Sequence, residues 1–451
     1  MRVAHLLTVA LGCEPGALKT PLRCEAEVDL VVGTVLHVRW TAPDGGLSRV
    51  TFQADDTVTL QTPPQEGDSP DFLLVGMPGD TDVTWTGVTE RDGELQSCTG
   101  VTRTAPIPPE LPTVELVVAS DAMSPSPAFF LGVTYNASGQ SAVVALDRLG
   151  RVVWYAPTDL AGVSIQAERS RDGRGVIYNH VARSERGDEA SVRWVTLDGT
   201  LVEVRDTPAA HHMFAQLPDD RIAFQQLDVK EIYNPELGAS ETWVGDAIAE
   251  VDADGTVTPI FSTWDWLEPT ANDRMETYST VDGLDWTHGN ALKYDGERET
   301  YLLSLGHAAD VIELSRATGA PLRILGADGY TVAEGAEFYF QHDPTLLDAT
   351  HLTLHNNDPV THEVTAVEYS IDDHTQTLTP VWSYASGRSS SFLGQVRRLE
   401  TGNTWINYGQ GAVLQEITPD GEVVWELAST DGLPFGQLEL LDSLYTTPDA
   451  P

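Results

Sequence analysis

The stretch Leu146-Asp147-Arg148-Leu149-Gly150-Arg151-Val152-Val153-Trp154 is typical of two strands joined by a polar turn that contains glycine. Copies of this phrase begin at Leu197, Val251, Leu314, Tyr369 and Ile417. Successive copies start 51, 54, 63, 55 and 48 residues apart. Six hairpins at a spacing of about 50 residues predict an all-β fold, a six-bladed β-propeller with one four-stranded sheet per blade. A single twisted sheet cannot bury its own faces, whereas six sheets packed face to face in a closed ring can.

Composition limits both the fold and the function. With 451 residues the chain is too long for one ordinary core, so it must repeat a unit or divide into domains. A row of separate β-sandwiches is the alternative to a propeller, but it needs more linkers than the sequence contains. The chain has 26 Lys and Arg against 68 Asp and Glu, a net charge of −42, which excludes a general nucleic-acid binder and disfavours an anionic membrane surface. No apolar run is long enough to predict a transmembrane helix.

The first residues predict export. Residues 1–13, MRVAHLLTVALGC, resemble a bacterial lipoprotein signal in which Cys13 is the lipidated residue, although a misassigned start codon is the alternative. We therefore expect residues 1–23 to be an export signal and tether. The expected location is the periplasm or the cell surface, with a membrane tether through lipidated Cys13.

The two remaining cysteines, Cys24 and Cys98, lie near the ends of a segment with alternating strands. The segment 24–106 is predicted to be a small β-sandwich of immunoglobulin or fibronectin type, closed by a Cys24–Cys98 disulfide. Two buried free thiols are the alternative for a cytosolic protein. The Pro-rich segment 105–113 marks a boundary, and residues 114–445 form the predicted propeller.

A second phrase, strand–turn–strand, lies between the hairpins and predicts the strands nearest the propeller axis. His212 and His342 stand five residues before the leucine of this phrase, and His288 stands four residues before its own. The far ends of the same hairpins carry further histidines, His307 and His355 among them. Because equivalent positions on successive blades surround the axis, the repeat predicts an axial pocket lined with histidines. Such a pocket suits either a metal ion or the chemistry of an oxyanion.

A series of short motifs follows the repeat in order. They are Gly150-Arg151-Val152-Val153-Trp154-Tyr155, His211-His212-Met213-Phe214, Trp286-Thr287-His288-Gly289-Asn290, Gln341-His342-Asp343, Gly394-Gln395-Val396-Arg397-Arg398-Leu399 and Asp420-Gly421-Glu422-Val423-Val424-Trp425. In order and spacing they resemble the aryl sulfotransferases (arylsulfate sulfotransferases), exported six-bladed propellers with an N-terminal β-sandwich. The resemblance covers most of the chain after about residue 140.

The resemblance implies roles for individual residues. His342 matches the histidine that becomes transiently sulfated in the family. His211, His212 and His288 match its other active-site histidines, and Asn290 matches an asparagine that contacts the sulfate.

Two departures from the family pattern stand close to these residues. Gly306 occupies the position of an arginine that grips sulfate, and the neighbouring His307 is expected to replace its charge. The segment Leu354-His355-Asn356-Asn357-Asp358 differs from the usual Phe-Asp-Asn-Gly, and His355 and Asn356 are expected to contact the substrate.

Three functions follow from these observations. The first is PAPS-independent transfer of a sulfuryl group from an aryl sulfate to a phenol through a sulfohistidine, without a cofactor. The second is a metal-dependent enzyme with a divalent transition metal, whose ligands are His212, His288, His307 and His342. The third is a binding propeller without catalysis. The expected partners are small aryl sulfates and phenols, and the sequence makes no prediction of the oligomeric state.

Overall fold

A computed structural model describes residues 22–54, 59–135, 140–157, 162–182, 190–235, 238–270, 275–278, 282–358 and 361–445. The predicted signal and Cys13 lie outside these residues. The chain divides into two compact units, Met1–Pro106 and Ile107–Pro451, and the division falls within the Pro-rich segment. Among the described residues no helix is long and apolar enough to span a membrane.

The first unit contains two antiparallel sheets. Its strands are β1 (Cys24–Val28), β2 (Leu36–Trp40), β3 (Leu47–Ala54), β4 (Leu60–Gln61), β5 (Gln65–Glu66), β6 (Asp71–Leu74), β7 (Asp82–Arg91) and β8 (Glu94–Arg103). One sheet has the order β1-β2-β6, and the other has the order β4-β3-β7-β8 with β5 beside β3.

Trp40 and a disulfide connect these two sheets. The buried Trp40 of β2 stacks on Phe72 with ring centroids 5.4 Å apart and donates from its indole nitrogen to Thr89 Oγ1 of β7 at 2.8 Å. The disulfide Cys24–Cys98 joins β1 to β8, as predicted. An immunoglobulin- or fibronectin-like connectivity stays a prediction.

The second unit is nearly all β-structure. Its strands are β9 (Val114–Ala119), β10 (Phe129–Tyr135), β11 (Ser141–Asp147), β12 (Val152–Tyr155), β13 (Gly162–Val163), β14 (Ala167–Arg169), β15 (Val176–Ala182), β16 (Ser191–Val195), β17 (Leu201–Asp206), β18 (Ala210–Gln216), β19 (Ile222–Asn234), β20 (Ala239–Val251), β21 (Val257–Ser262), β22 (Glu276–Tyr278), β23 (Gly283–Asp285), β24 (Gly289–Asp295), β25 (Thr300–Leu305), β26 (Asp310–Ser315), β27 (Pro321–Gly326), β28 (Thr331–Val332), β29 (His342–Leu346), β30 (His351–Asn357), β31 (Glu363–Asp372), β32 (Thr377–Ser389), β33 (Gln395–Arg398), β34 (Thr404–Asn407), β35 (Val413–Ile417), β36 (Val423–Ser429) and β37 (Phe435–Leu441). Two short 3₁₀ helices, Thr263–Asp265 and Gly409–Gly411, complete the regular structure of the described residues.

These strands form six sheets, the blades of the predicted propeller. From the inner strand outward, blade 1 is β37-β10-β11-β12, and blade 2 is β14-β15-β16-β17 with β13 also on β15. Blade 3 is β18-β19-β20-β21, with β23 also on β20 and β22 on β23. Blade 4 is β24-β25-β26-β27, blade 5 is β29-β30-β31-β32 with β28 beside β32, and blade 6 is β33-β34-β35-β36-β9. The ring is closed twice: β37 supplies the inner strand of blade 1, and β9 supplies the outer strand of blade 6.

The six predicted hairpins join the outer strands of the six blades. In the first copy Asp147 Oδ1 accepts the N–H groups of Leu149 and Arg151, both at 2.9 Å, and Gly150 takes a φ of 80° that favours glycine. Tryptophans of the outer strands then connect neighbouring blades. Trp154 donates to Leu197 O at 2.8 Å, and Trp425 donates to Arg148 O at 2.9 Å.

The apolar core lies between the blades. Each cluster draws buried side chains from two adjacent sheets: Ile177 and Phe214 belong to the cluster between blades 2 and 3, and Leu302 and Leu354 belong to the one between blades 4 and 5. Packing of faces between sheets leaves the inner strands side by side around the axis, where their side chains form the candidate site.

Candidate active site

Five histidines, His211, His212, His288, His307 and His342, form a histidine cluster at one end of the axis. Four of them stand at the beginning of an inner strand, and His307 follows the second strand of blade 4. The ring of His288 lies between two others: its centroid is 5.2 Å from that of His212 and 4.5 Å from that of His307. Burial, and then the charges of the other four rings, hold the pKa of His212 well below its usual value.

The same left-handed backbone conformation orients the side chains at the start of the inner strand in three blades. His212, His288 and Asp343 have φ values of 51°, 54° and 54°, in the left-handed region that non-glycine residues rarely adopt. The register of the inner strand shifts at the same places, as it does in β-bulges. Left-handed residues cost about 1–2 kcal/mol each, so the surrounding contacts must stabilise this geometry.

Asp285 is a site residue that sequence reasoning missed. Its Oδ2 is 2.7 Å from His288 Nδ1, its Oδ1 accepts the His288 N–H at 3.0 Å, and its carbonyl oxygen is 2.8 Å from His307 Nδ1. One residue therefore fixes the orientation of two imidazoles. The rings of His288 and His307 are stacked at an interplanar angle of 25°, so their Nε2 atoms lie on the side away from Asp285.

Asp246 has a similar role beside His211 and was also missed. Its Oδ1 lies 3.0 Å from His211 Nε2, and its Oδ2 accepts the Thr287 hydroxyl at 2.5 Å and the Gly289 N–H at 2.7 Å. Hydrogen bonds from these groups lower the pKa of Asp246 despite its burial. Asp246 thus ties blade 3 to the segment that carries His288. The spacing Asp285–His288, three residues apart, was the one signal in the sequence that could have identified such a partner.

His342 has a defined tautomer because both ring nitrogens are engaged. Nδ1 lies 2.9 Å from Phe340 O and must donate to it, whereas Nε2 accepts the Leu393 N–H at 3.1 Å. Burial is the main cause that lowers the pKa of His342 to about 3, and the charges of His355 and His288 add to it. The ring is therefore neutral at physiological pH, with its lone pair on Nε2.

Gln341 and Asn290 hold the strand that carries His342. Asn290 Nδ2 donates to Gln341 O at 2.9 Å, and Gln341 Nε2 donates to Leu305 O at 3.1 Å and Asp310 O at 2.9 Å. Asn290 is fully buried, and its Oδ1 has no hydrogen-bond partner. The structure places this side chain beneath the histidine cluster, where it supports the backbone next to His342.

Gly306 stands at the position of the family's arginine, and its neighbours leave no room for a side chain. A Cβ at this position would lie 2.8 Å from Asn290 Nδ2 and 3.4 Å from His288 Cδ2. Any side chain here requires Asn290 to move. His307 occupies the adjacent buried position, with its ring in edge contact with Phe340 at a centroid distance of 5.0 Å.

His355 and Asn356 lie on β30, behind the histidine cluster. His355 pairs with His342 across the ladder, is fully buried, and has Nδ1 2.7 Å from Asn357 Oδ1. Asn356 Oδ1 accepts the Tyr339 N–H at 2.8 Å. The structure thus brings five predicted histidines together and leaves His355 and Asn356 in supporting positions around His342.

A large cavity lies further along the axis, away from the histidine cluster. This axial cavity has a volume of about 730 Å³ and is lined by the later residues of the inner strands. No histidine lines it, but Met213, Ala291 and Asp343 do, and these directly follow His212, Asn290 and His342. The cavity therefore begins one to three residues beyond the histidines of the cluster.

Comparison with known proteins identifies the family of the chain. The model of the arylsulfotransferase (ASST) family matches residues 115–433, and the chain therefore belongs to that family. The family match supports a function of the arylsulfotransferase type in general terms, and the fold is a β-propeller. No curated protein matches the chain.

Solved structures with a similar outline are distant. A protein of unknown function from Bacteroides caccae is 16% identical, with 70% of this chain and 100% of that one covered and a TM-score of 0.45. A streptogramin B lyase is 13% identical, with 69% and 87% covered and a TM-score of 0.38.

Proposed function

We propose that this protein transfers a sulfuryl group from an aryl sulfate to a phenolic acceptor through a sulfohistidine at His342. The observation that supports it best is the neutral His342 ring, with Nδ1–H held by Phe340 O and the lone pair on Nε2, inside a family of arylsulfotransferases. In the first step Nε2 attacks sulfur, the S–O bond to the aryl group breaks, and the phenolate leaves with the electron pair. In the second step the oxygen of the acceptor phenol attacks the same sulfur and the S–Nε2 bond breaks, which returns the electron pair to His342. The proton of the phenol passes to His288, which gave up its own proton to the leaving phenolate in the first step.

The other histidines stabilise charge and move protons in this scheme. His212 stays neutral because of burial and the neighbouring rings, so it can accept a hydrogen bond from the hydroxyl group of the acceptor phenol. His288 can donate from Nε2 to the leaving oxygen, because Asp285 at 2.7 Å balances the positive charge on the ring. His307 stacks on His288 and presents a second Nε2 toward the sulfuryl oxygens in place of the family's arginine.

A hydrogen bond from the Leu393 backbone must break before the first step. The Leu393 N–H covers the His342 lone pair at 3.1 Å, so the donor's sulfur must displace this hydrogen bond before attack. Asn357 Nδ2 holds the same loop by donating to Ser390 O at 3.1 Å and to Leu393 O at 3.4 Å.

The test uses 4-nitrophenyl sulfate as donor and phenol as acceptor, without added metal. We expect nitrophenolate release by the wild type, a sulfuryl adduct on the peptide containing His342 when phenol is omitted, and loss of both in His342→Ala. His351→Ala, at an exposed histidine of the same blade, is the matched control and should keep full activity. Full turnover by His342→Ala would contradict the assignment.

A metal-dependent function is the second candidate. Among the residues that the structure describes, Asp285, His288 and His307 have potential ligand atoms within 4.8 Å of one another. However, Nδ1 of each ring is already engaged by Asp285. Elemental analysis decides: stoichiometric zinc, copper or iron, with activity lost to a chelator and restored by that metal, would favour this function.

Export also belongs to the proposal. The Cys24–Cys98 disulfide supports an oxidising compartment, as expected for a periplasmic or cell-surface protein. Lipidation of Cys13 would be tested by mass spectrometry of the membrane fraction, with Cys13→Ala as the control.

A further inference from the structure

The axial cavity has a cationic side that the sulfotransfer scheme does not use. Lys293 of β24 and Arg397 of β33 both contact Asp343: Lys293 Nζ lies 2.8 Å from Oδ1, and Arg397 donates from its second terminal nitrogen to Oδ1 at 2.9 Å and from its first to Oδ2. One carboxylate thus faces two cations, which leaves one positive charge. Burial, and then the charge of Arg397, lower the pKa of Lys293 to about 8. A further negative charge beside them would relieve this repulsion.

The opposite side of the cavity carries two carboxyl groups, Glu168 and Glu439, and burial raises the pKa of both. The Glu439 carboxylate accepts the backbone N–H of Arg169 at 2.6 Å, and it lies 3.5 Å from the guanidinium group of the same residue. Burial, and then the charge of Glu439, raise the pKa of Glu168 to about 7. A substantial fraction of Glu168 is therefore protonated at neutral pH, and a protonated carboxyl group can donate a hydrogen bond.

Gln437 supplies an independent observation. It lies on β37, lines the same cavity and is only 8% exposed, yet its side-chain Nε2 has no hydrogen-bond partner. A buried donor without a partner costs free energy, so such groups usually face a ligand or water. The cavity therefore has a hydrogen-bond donor without a partner, Gln437 Nε2, as well as a cationic side. It has this cationic side although the net charge of the protein is −42.

We propose that the axial cavity is a second binding site, specific for an oxyanion, with Lys293, Arg397 and Gln437 as its donors. The ligand is a carboxylate, sulfate or phosphate group, either as a free ion or as the acidic substituent of an aromatic molecule. Asp343 keeps the two cations side by side, and the cavity of about 730 Å³ has room for an aromatic ring. The site is separate from the histidine cluster and does not depend on sulfotransfer.

Calorimetric titration of the full chain tests the site. The titrants are sodium phosphate, sodium sulfate and 4-hydroxybenzoate, each at an ionic strength matched with NaCl, and the three arms distinguish a free ion from an organic acid. The variants are Lys293→Met and Gln437→Leu, and the matched control is Lys230→Met, which removes one exposed lysine above Trp264. We expect saturable binding of at least one oxyanion, weakened about 10- to 100-fold in Lys293→Met and unchanged in Lys230→Met.

Gln437→Leu separates binding from folding. Because it removes a buried donor without a partner, the thermal midpoint without ligand should stay the same or rise. Binding of the same oxyanion should nevertheless weaken about 5- to 10-fold. No saturable binding of any of the three anions, or binding that neither variant changes, would overturn the proposal. The second outcome would assign any sulfate binding to the histidine cluster.

Discussion

Gly306→Ala tests how the active site depends on a position without a side chain. The new Cβ would lie 2.8 Å from Asn290 Nδ2, so the amide must retreat by about 0.6 Å to reach the 3.4 Å of an ordinary contact. That movement weakens or breaks the 2.9 Å hydrogen bond to Gln341 O, next to His342. Loss of a buried hydrogen bond costs about 1–3 kcal/mol, which corresponds to a fall of roughly 1–4 °C in Tm for a unit of this size. Displacement of His342 should lower kcat roughly 10- to 100-fold.

Gly296→Ala is the matched control for this experiment. Gly296 lies on the same blade, and a Cβ there would have Tyr294 Cε1 at 3.7 Å as its nearest neighbour. Thermal unfolding and nitrophenolate release should therefore match the wild type in Gly296→Ala. A double-mutant cycle with Asn290→Ala isolates the contact, because Gly306→Ala should cost little more once the amide is absent.

We also expect that Gly306→Arg does not restore the sulfate contact that the family's arginine makes. Its Cβ would meet the same amide, so the variant should lose activity and stability instead of gaining sulfate affinity. A Gly306→Ala protein that equals wild type in Tm and rate, or costs that simply add in the double variant, would refute this account of the contact.

Asp285→Asn should lower kcat about 10²- to 10⁴-fold, because Asn can present its amide nitrogen to His288 Nδ1 and favour the wrong tautomer. A near-native circular dichroism spectrum together with a wild-type rate would contradict this role. His355→Asn should flatten the pH dependence of stability. Burial lowers the pKa of His355 to about 4, so the unfolded chain binds the proton first and stability falls as pH drops from about 6.5 to 4. Urea unfolding at several pH values should show a slope smaller by about 1.4 kcal/mol per pH unit, and equal slopes would exclude a neutral buried ring. Cys24→Ser should lower the free energy of unfolding of the first unit by about 2–5 kcal/mol, because it removes the Cys24–Cys98 disulfide. Thiols that react with an alkylating reagent in the unreduced wild type would contradict this disulfide.

The propeller could be predicted because its signal repeats. Asp147 and Gly150 form a turn whose chemistry is readable from local sequence, and five similar turns fix the number of blades. The position of His212 and His288 near one another also followed from equivalent places in that repeat. The different offsets of the histidines from their leucines correspond to bulged, left-handed backbone, which a pattern of alternating residues does not encode.

Interactions between blades could not be predicted in the same way. Asp246 stands among 68 acidic residues, and only its contacts with His211, Thr287 and Gly289 in the folded chain distinguish it. Asp285 differs, because its position three residues before His288 is visible in the sequence. Burial likewise decides that His355 lies behind His342, since both occupy strand positions that the repeat treats as axial. The cationic side of the axial cavity depends on Lys293 and Arg397 meeting across a blade, and they are distant in sequence.

The double closure of the ring has a consequence for biogenesis. Among the described residues β37, the inner strand of blade 1, is the last strand to be synthesised, whereas its partner β10 is made early. Until β37 arrives, the edge of β10 is open to pairing with other chains, and Gln437 and Glu439 are missing from the axial cavity. Contacts of such long sequence separation form slowly. Ring closure is therefore the step until which the edge of β10 can pair with other chains and aggregate.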